Sequence, residues 1–323
     1  MRVHRFTAGI ALLLAAAVLF AVFYFKLFTV GSSGVKTIVV VLKSTNVRAD
    51  FWQTVAGGAE AAAKEAGARL ETVGPLKDTD AATQALQLEE ALESKPDAIV
   101  AAPINDERVM GFLKRIQEAG IELVVLDTPL ALSPQPAEVA GNHREAGRQA
   151  GRLAAEETDG KPMAAVLGDY AASTVSSERE AGIREAVGQD GFAGTFYVED
   201  SEEKAYDATR SLLAAEPRIN AIAALTEPAV LGSAKALKEL RRTGDVKLIA
   251  FDSTLYEIRL LEEGSLDAMI VQRPFNIGYL GVKNALKQLG GSRVDKSSLI
   301  DTIVVTKINM YSPENQKLLF PFR

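Results

Sequence analysis

One stretch of this chain occurs twice, and the repetition restricts the fold more than any other feature. Pro96-Asp97-Ala98-Ile99-Val100-Ala101-Ala102 is followed by a helical pattern and closed by Leu123-Val124-Val125-Leu126-Asp127-Thr128. Further on, Asn220-Ala221-Ile222-Ala223-Ala224-Leu225, a second helical pattern and Leu248-Ile249-Ala250-Phe251-Asp252-Ser253 repeat the arrangement. Each copy reads as buried strand, crossover helix, buried strand, because apolar runs of strand length bounded by turn residues suit a parallel sheet covered on both faces. The second strand of each copy ends on an aspartate followed by a hydroxyl residue. Open parallel sheets bind ligands at the carboxyl ends of their strands. Two lobes, each offering an aspartate at that edge, would place Asp127 and Asp252 in one cleft. The bland alternative is that each aspartate merely starts a turn.

The rest of the chain alternates in the same way. The pattern predicts a first strand Ile38–Leu42, a helix Phe51–Ala66 with Asp50 as its cap and Gly67 as its stop, a strand Arg69–Val73 and a helix Ala81–Glu93. A helix Glu107–Ala119 fills the first copy. After the Pro-rich loop Leu132–Pro136 and Val139-Ala140-Gly141-Asn142, a helix His143–Glu157 leads into a second series. That series comprises strand Met163–Leu167, helix Ser177–Val187, strand Gly194–Val198 and helix Glu203–Ala215. Beyond the second copy come helix Leu255–Glu263, strand Ala268–Val271, a break at Arg273-Pro274, helix Asn276–Leu289 and a late strand Leu299–Val305. The tail from Asn309 has little pattern. Strict β/α alternation predicts an α/β fold of doubly wound parallel sheets, and a chain of 323 residues accommodates two such units.

Charge and composition exclude several function classes. The formal net charge is −6, and the charged residues among the first 26 (Arg2, Arg5, Lys26) are all basic, so the remainder is more acidic than the total. That balance disfavours a nucleic-acid surface. With no cysteine, disulfides, thiolate catalysis, zinc–thiolate sites and a lipid-bearing cysteine are excluded. Two histidines, His4 and His143, leave little room for histidine chemistry. No phosphate-cradling glycine motif, nucleophile elbow or metal-ligand cluster is present, so neither an enzyme nor a cofactor or metal site is expected.

Residues 7–25 are uncharged and long enough to span a bilayer core, which takes about 20 helical residues. Arg2 and Arg5 ahead of them place the amino end inside and the bulk of the chain outside. A cleaved signal peptide is the rival reading. Its apolar region would run about 7–15 residues to a small-x-small site, whereas this run ends in Phe23-Tyr24-Phe25-Lys26-Leu27-Phe28. A retained transmembrane anchor is therefore expected, followed by a tether over 26–35 that contains Gly31-Ser32-Ser33-Gly34.

Several motifs together resemble the periplasmic sugar-binding proteins of the ribose/galactose type. They are Phe51-Trp52 opening the helix after the first strand, Asp127 at a strand end, Ser176-Ser177-Glu178-Arg179-Glu180-Ala181-Gly182, Ala250-Phe251-Asp252-Ser253 and Val271-Gln272-Arg273-Pro274. Their order and spacing carry the resemblance, which covers nearly everything after the anchor. It implies the type I periplasmic-binding fold, two lobes joined by three hinge crossovers and closing on a ligand. It also implies lobe membership: 36–141 with 273–296 in the first lobe, 142–272 with 297–323 in the second.

The resemblance and the residue chemistry together nominate Phe51, Trp52, Asp127, Arg179, Thr226, Asp252 and Gln272 as ligand-binding. A sugar presents hydroxyl edges to planar donors and acceptors and a C–H face to aromatic walls. Thr254 and Glu257 form a capping box for the helix after Asp252, which frees that aspartate from capping. Arg179 is expected in the first turn of a helix capped by Ser176 or Ser177, where a cation opposes the macrodipole. A sugar contact explains such a placement, and a surface ion pair with Glu178 or Glu180 is the alternative. Phe51 and Trp52 are read as a stacking wall, with core packing of one of them as the alternative. Gln272 offers donor and acceptor at a crossover. Thr226 either meets the ligand or caps the helix beginning Glu227-Pro228. Where the family often carries an arginine after the first aspartate, this chain has Thr128. The loop from Lys43 to Asp50 is longer than in the ribose type, bringing Arg48 or Asp50 within reach of the pocket.

The expectation is thus a monomeric, extracytoplasmic, membrane-tethered binding domain for a sugar-like ligand, with an ABC permease as its partner. The alternative is a sensing protein that reports occupancy to a membrane histidine kinase. A regulator of the lactose-repressor type shares the fold but needs a helix-turn-helix head in place of the spanning segment.

Overall fold

In a computed structural model of the chain, the described residues are 20, 34–46, 50–128 and 130–320. Their strands form two six-stranded sheets. The first holds β1 (Thr37–Val41), β2 (Arg69–Val73), β3 (Ala98–Ala101), β4 (Glu122–Leu126), β5 (Ala137–Gly141) and β11 (Ser297–Ile300), in the order β11-β5-β4-β3-β1-β2. The second holds β6 (Ala164–Gly168), β7 (Phe192–Tyr197), β8 (Ala221–Ala224), β9 (Lys247–Phe251), β10 (Ala268–Val271) and β12 (Ile303–Thr306), in the order β12-β10-β9-β8-β6-β7. All neighbours run parallel except β12 against β10. The duplicated stretch takes equivalent places, β3–β4 in one sheet and β8–β9 in the other.

Helices cover both faces of each sheet, which is why the central strands are apolar throughout. Around the first sheet lie α1 (Asp50–Ala66), α2 (Ala81–Glu93), α3 (Glu107–Glu118) and α9 (Pro274–Leu289). Around the second lie α4 (His143–Glu156), α5 (Thr174–Val187), α6 (Glu202–Ala215), α7 (Glu227–Glu239), α8 (Leu255–Glu263) and the C-terminal α10 (Pro313–Leu319). Alternate residues divide each strand between two cores. Ile38, Val40, Val100 and Leu126 pack beneath α1 and α9, whereas Val39, Val41, Ile99 and Val125 pack beneath α2 and α3.

Three helix pairs approach closely enough to exclude a side chain, one of them α6 and α7, where a Cβ on Gly232 would lie 2.3 Å from the Glu202 carbonyl oxygen. A Cβ on Gly278 of α9 would lie 1.9 Å from the Val55 carbonyl oxygen of α1, and one on Gly58 would lie 2.0 Å from that of Phe275. In the second lobe, a Cβ on Gly147 of α4 would meet the Arg179 carbonyl at 2.0 Å, and one on Gly182 of α5 would meet that of Arg144 at 2.0 Å. Gly182 belongs to the motif around Arg179. Its lack of a side chain brings α5 against α4 one turn from the arginine.

The chain crosses between sheets three times, after β5 at Gly141–His143, after β10 at Val271–Pro274 and after β11 at Ile300–Ile303. The late strand expected over 299–305 is two strands in different sheets, with Asp301-Thr302 as the crossing, because β11 completes the first sheet beside β5. Residues 297–300 therefore pair in the first sheet and not with the second lobe, where the resemblance places them. The patternless tail contains α10, capped by the Ser312 hydroxyl. Apart from Phe20, the expected anchor over 7–25 lies outside the described residues, as do most of the tether and Arg48. Among the described residues no helix is long and apolar enough to cross a membrane.

Candidate ligand-binding site

Both duplicated strands end on an aspartate in the left-handed backbone region, Asp127 at φ 62° and Asp252 at φ 73°. In each case the aspartate amide donates to the carbonyl of the adjoining strand, Val139 for Asp127 and Ile270 for Asp252, both at 3.0 Å. A left-handed conformation costs a residue with a side chain roughly 1–2 kcal/mol, and Asp is among the few that adopt it routinely. Each aspartate thus closes its strand with a sharp turn at the sheet's carboxyl edge.

Asp127 is buried, at 5% exposure. The Lys43 ammonium, just past β1, lies 2.9 Å from its Oδ2. His143 Nε2, at the start of α4, lies 3.0 Å from its backbone oxygen and 3.4 Å from Oδ1. Burial alone would raise this carboxyl's pKa. The Lys43 charge first, and His143 next, outweigh it and hold Asp127 far below the usual carboxylate range. Lys43 also stands 5.5 Å from the Trp52 ring centroid.

Asp252 is the more open acid, its side chain one-third exposed. Gln272 Nε2 donates to its Oδ1 at 2.6 Å, and Arg179 Nη2 lies 3.9 Å from its Oδ2. The Arg179 guanidinium stacks 4.6 Å from the Phe251 ring centroid and donates to the Leu225 carbonyl at 3.1 Å, leaving Nε without a protein partner. The sequence expected Arg179 in a first turn. Instead α5 begins at Thr174 with Ser173 as its cap, so Arg179 lies in the second turn. There it is 4% exposed and points to Asp252, with no ion pair to Glu178 or Glu180. The Ser176 hydroxyl, one of the two expected caps, donates to Asp169.

The two aspartates are joined through the hinge. His143 and Gln272 leave successive crossovers, and both pack on Gly141. A Cβ there would come 2.5 Å from Gln272 Oε1 and 3.2 Å from His143 Cε1. The contacts therefore run Asp127, His143, Gly141, Gln272, Asp252. Farther out, the Asn105 amide of the first lobe donates to the Ala172 carbonyl of the second at 3.2 Å.

The other nominated residues divide. Trp52 is 7% exposed and belongs to the first-lobe core, while Phe51, packed edge-on to it with centroids 4.9 Å apart, faces a cavity of about 850 Å³ that Asp252 and Gln272 also line. The core alternative thus holds for Trp52. Thr226 occupies the N-cap position of α7 without making a side-chain cap bond. Lys43 and His143 were missed. Lys43 had a legible signal, since it follows an apolar strand at the edge that presents Asp127. His143 had none, because its partner lies 16 residues away across a turn and β5. Such an array can hold a polar molecule through charge-assisted hydrogen bonds, the stronger class, with an aromatic ring at one side.

Behind Asp252 lies Glu257, fully buried in the capping box with Thr254. Burial, with a further push from the Asp252 charge, raises its pKa to about 8. The folded state therefore keeps this proton between about pH 4.5 and 8, where the unfolded chain releases it, and stability falls as pH rises through that window. The expected loss is on the order of 3 kcal/mol between pH 5 and 7. Urea midpoints measured across that range should show the slope, and Glu257→Gln should flatten it; an equal slope in the variant would clear Glu257 of responsibility.

Comparison with known proteins extends these observations. The family described as "Periplasmic binding protein domain" matches residues 38–293. The D-ribose/D-allose-binding protein of Pseudomonas aeruginosa is 25% identical over 285 residues, covering 83% of this chain and 87% of that protein. A crystal structure of a sugar transporter from Clostridium phytofermentans is 32% identical with a TM-score of 0.75, covering 84% of this chain and 99% of that one. An ABC transporter solute-binding protein from Agrobacterium vitis, solved with bound D-fucose, is 28% identical with a TM-score of 0.79, covering 88% and 99%. With two parallel-sheet lobes, three crossovers and an aspartate from each lobe at the strand ends, the chain belongs to the periplasmic binding protein domain family.

Proposed function

We propose that the protein is an extracytoplasmic sugar-binding protein, tethered by residues 7–25, that closes its lobes on a monosaccharide-like ligand and presents it to an ABC-type importer. The observation that carries this reading is the pair of aspartates, one per lobe, connected through His143 and Gln272 on the crossovers. Asp252, with Arg179 and Gln272 behind it, serves as the open acceptor for hydroxyls. Lys43 stands in for the cation that the family often carries beside the first aspartate, and Phe51 supplies the ring for a C–H face. A relative named for D-ribose and D-allose binding and a similar structure with bound D-fucose support a sugar. Several hydrogen bonds to charged groups, at about 1.5–3 kcal/mol each, suffice for micromolar affinity after ordering costs.

A sensing role is the second reading. It is favoured by the lack of any cysteine for a lipid anchor together with the apolar run over 7–25, which suits a protein held beside a fixed membrane partner such as a histidine kinase. Permease genes next to this one support import, and a sensor-kinase gene there supports sensing. Calorimetry of the full chain in phospholipid nanodiscs against a panel of pentoses, hexoses and polyols tests the shared premise. At least one member is expected to bind with micromolar affinity; a panel without a binder removes the sugar reading.

A further inference from the structure

The cavity that Phe51, Asp252 and Gln272 share does not stop at the acids. Its volume of about 850 Å³ lies near the upper end of the roughly 300–1,000 Å³ that serves drug-sized ligands, far more than one pyranose ring fills. Its lining combines hydroxyl partners with apolar side chains. Asp252, Ser253 and Gln272 in its lining offer groups for hydroxyls. Apolar walls come from Val271, Pro274, Phe275 and Ile303 with Leu318 and Leu319 of α10, and the polar Arg273, Asn276, Glu314 and Lys317 stand among them. Phe275 is 45% exposed and Leu255, also in the lining, 61% exposed. Both stand at helix starts that border this groove. Its outer wall is built by the tail, the segment with no legible pattern, and the tail bridges the lobes there through Arg273 and Glu314 at 3.8 Å.

We infer that this groove is a second subsite, continuous with the sugar site, that takes the apolar aglycone of a glycoside. The inference rests on the sugar-binding reading and adds the class of ligand: a sugar carrying an aromatic or comparably flat apolar substituent. A cavity that offers both Asp252 and the apolar surfaces of Phe275 and Leu318 fits an amphipathic molecule whose hydroxylated head meets the carboxylate and whose body lies on those side chains. A free monosaccharide leaves those apolar walls in water. Burying them gains affinity in proportion to the apolar area covered.

The test uses the full chain in nanodiscs free of alkyl glycoside detergents, with the methyl and phenyl β-D-glycosides of glucose, galactose and ribose as probes in calorimetry. For at least one sugar the phenyl glycoside is expected to bind at least ten-fold more tightly than the methyl glycoside. Phe275→Ala and, separately, Leu318→Ser should each remove most of that advantage while leaving the methyl glycoside within two-fold. Equal binding of phenyl and methyl glycosides overturns the subsite but leaves the sugar reading intact, whereas failure of every free sugar and glycoside to bind sinks both. An advantage that emerges only after deletion of residues 321–323 would assign the groove to the chain's own end and overturn the inference.

Discussion

Asp252→Ala is expected to erase ligand-induced thermal stabilisation. At a ligand concentration one hundred times Kd, binding to the native state alone adds about 2.7 kcal/mol. Removing Asp252 takes away the open acceptor. It also leaves Arg179, 4% exposed, facing only the Leu225 carbonyl and the Phe251 ring. Each ligand hydrogen bond to a charged group contributes about 1.5–3 kcal/mol. At that loss the residual stabilisation under the same conditions is about 1 kcal/mol or less. Asp252→Asn, which keeps an acceptor for Gln272 but not the charge, should fall between. Thermal shifts with the best sugar of the panel decide the matter, and an undiminished shift in Asp252→Ala would exclude this residue from the site.

The second large effect concerns a residue that touches no ligand. Gly182→Ala places a methyl group 2.0 Å from the backbone oxygen of Arg144, and neither helix can yield at one point without separating along its length. Overpacking a well-packed core costs about 1–3 kcal/mol and occasionally more. A collision with rigid backbone belongs at or beyond the top of that range, at about 3–5 kcal/mol. The expected fall in Tm is roughly 10 °C. Because Arg179 lies one turn from Gly182, affinity should also fall at temperatures where the variant is folded. A Tm within 1 °C of the parent would show that α4 and α5 can part cheaply. Gly278→Ala, the equivalent change in the first lobe, should cost as much stability, with Arg179 undisturbed.

Much of this was legible because it depends on local pattern. Buried parallel strands read as uninterrupted apolar runs, so β3, β4, β8 and β9 stood out together with the aspartates that end them. The capping box of Thr254 and Glu257 follows from spacing along one helix, and it is present. Element boundaries were softer. α5 starts before Ser176 because Ser173 caps it, and either serine suits that position by chemistry alone.

The sequence by itself determined the alternation of strand and helix, the duplication, and an acid at the same edge of each lobe, since all of these are written in periodicity and in residues adjacent along the chain. The tertiary structure alone decided which basic side chain serves which acid: Lys43 and His143 for Asp127, Arg179 for Asp252. It also decided that Trp52 faces the core while Phe51 faces the cavity, that β11 and β12 part company, and that the tail walls a groove. The physical reason is distance along the chain. Lys43 and Asp127 are separated by 84 residues, and only the packing of complete sheets and helices brings such groups within reach of one another.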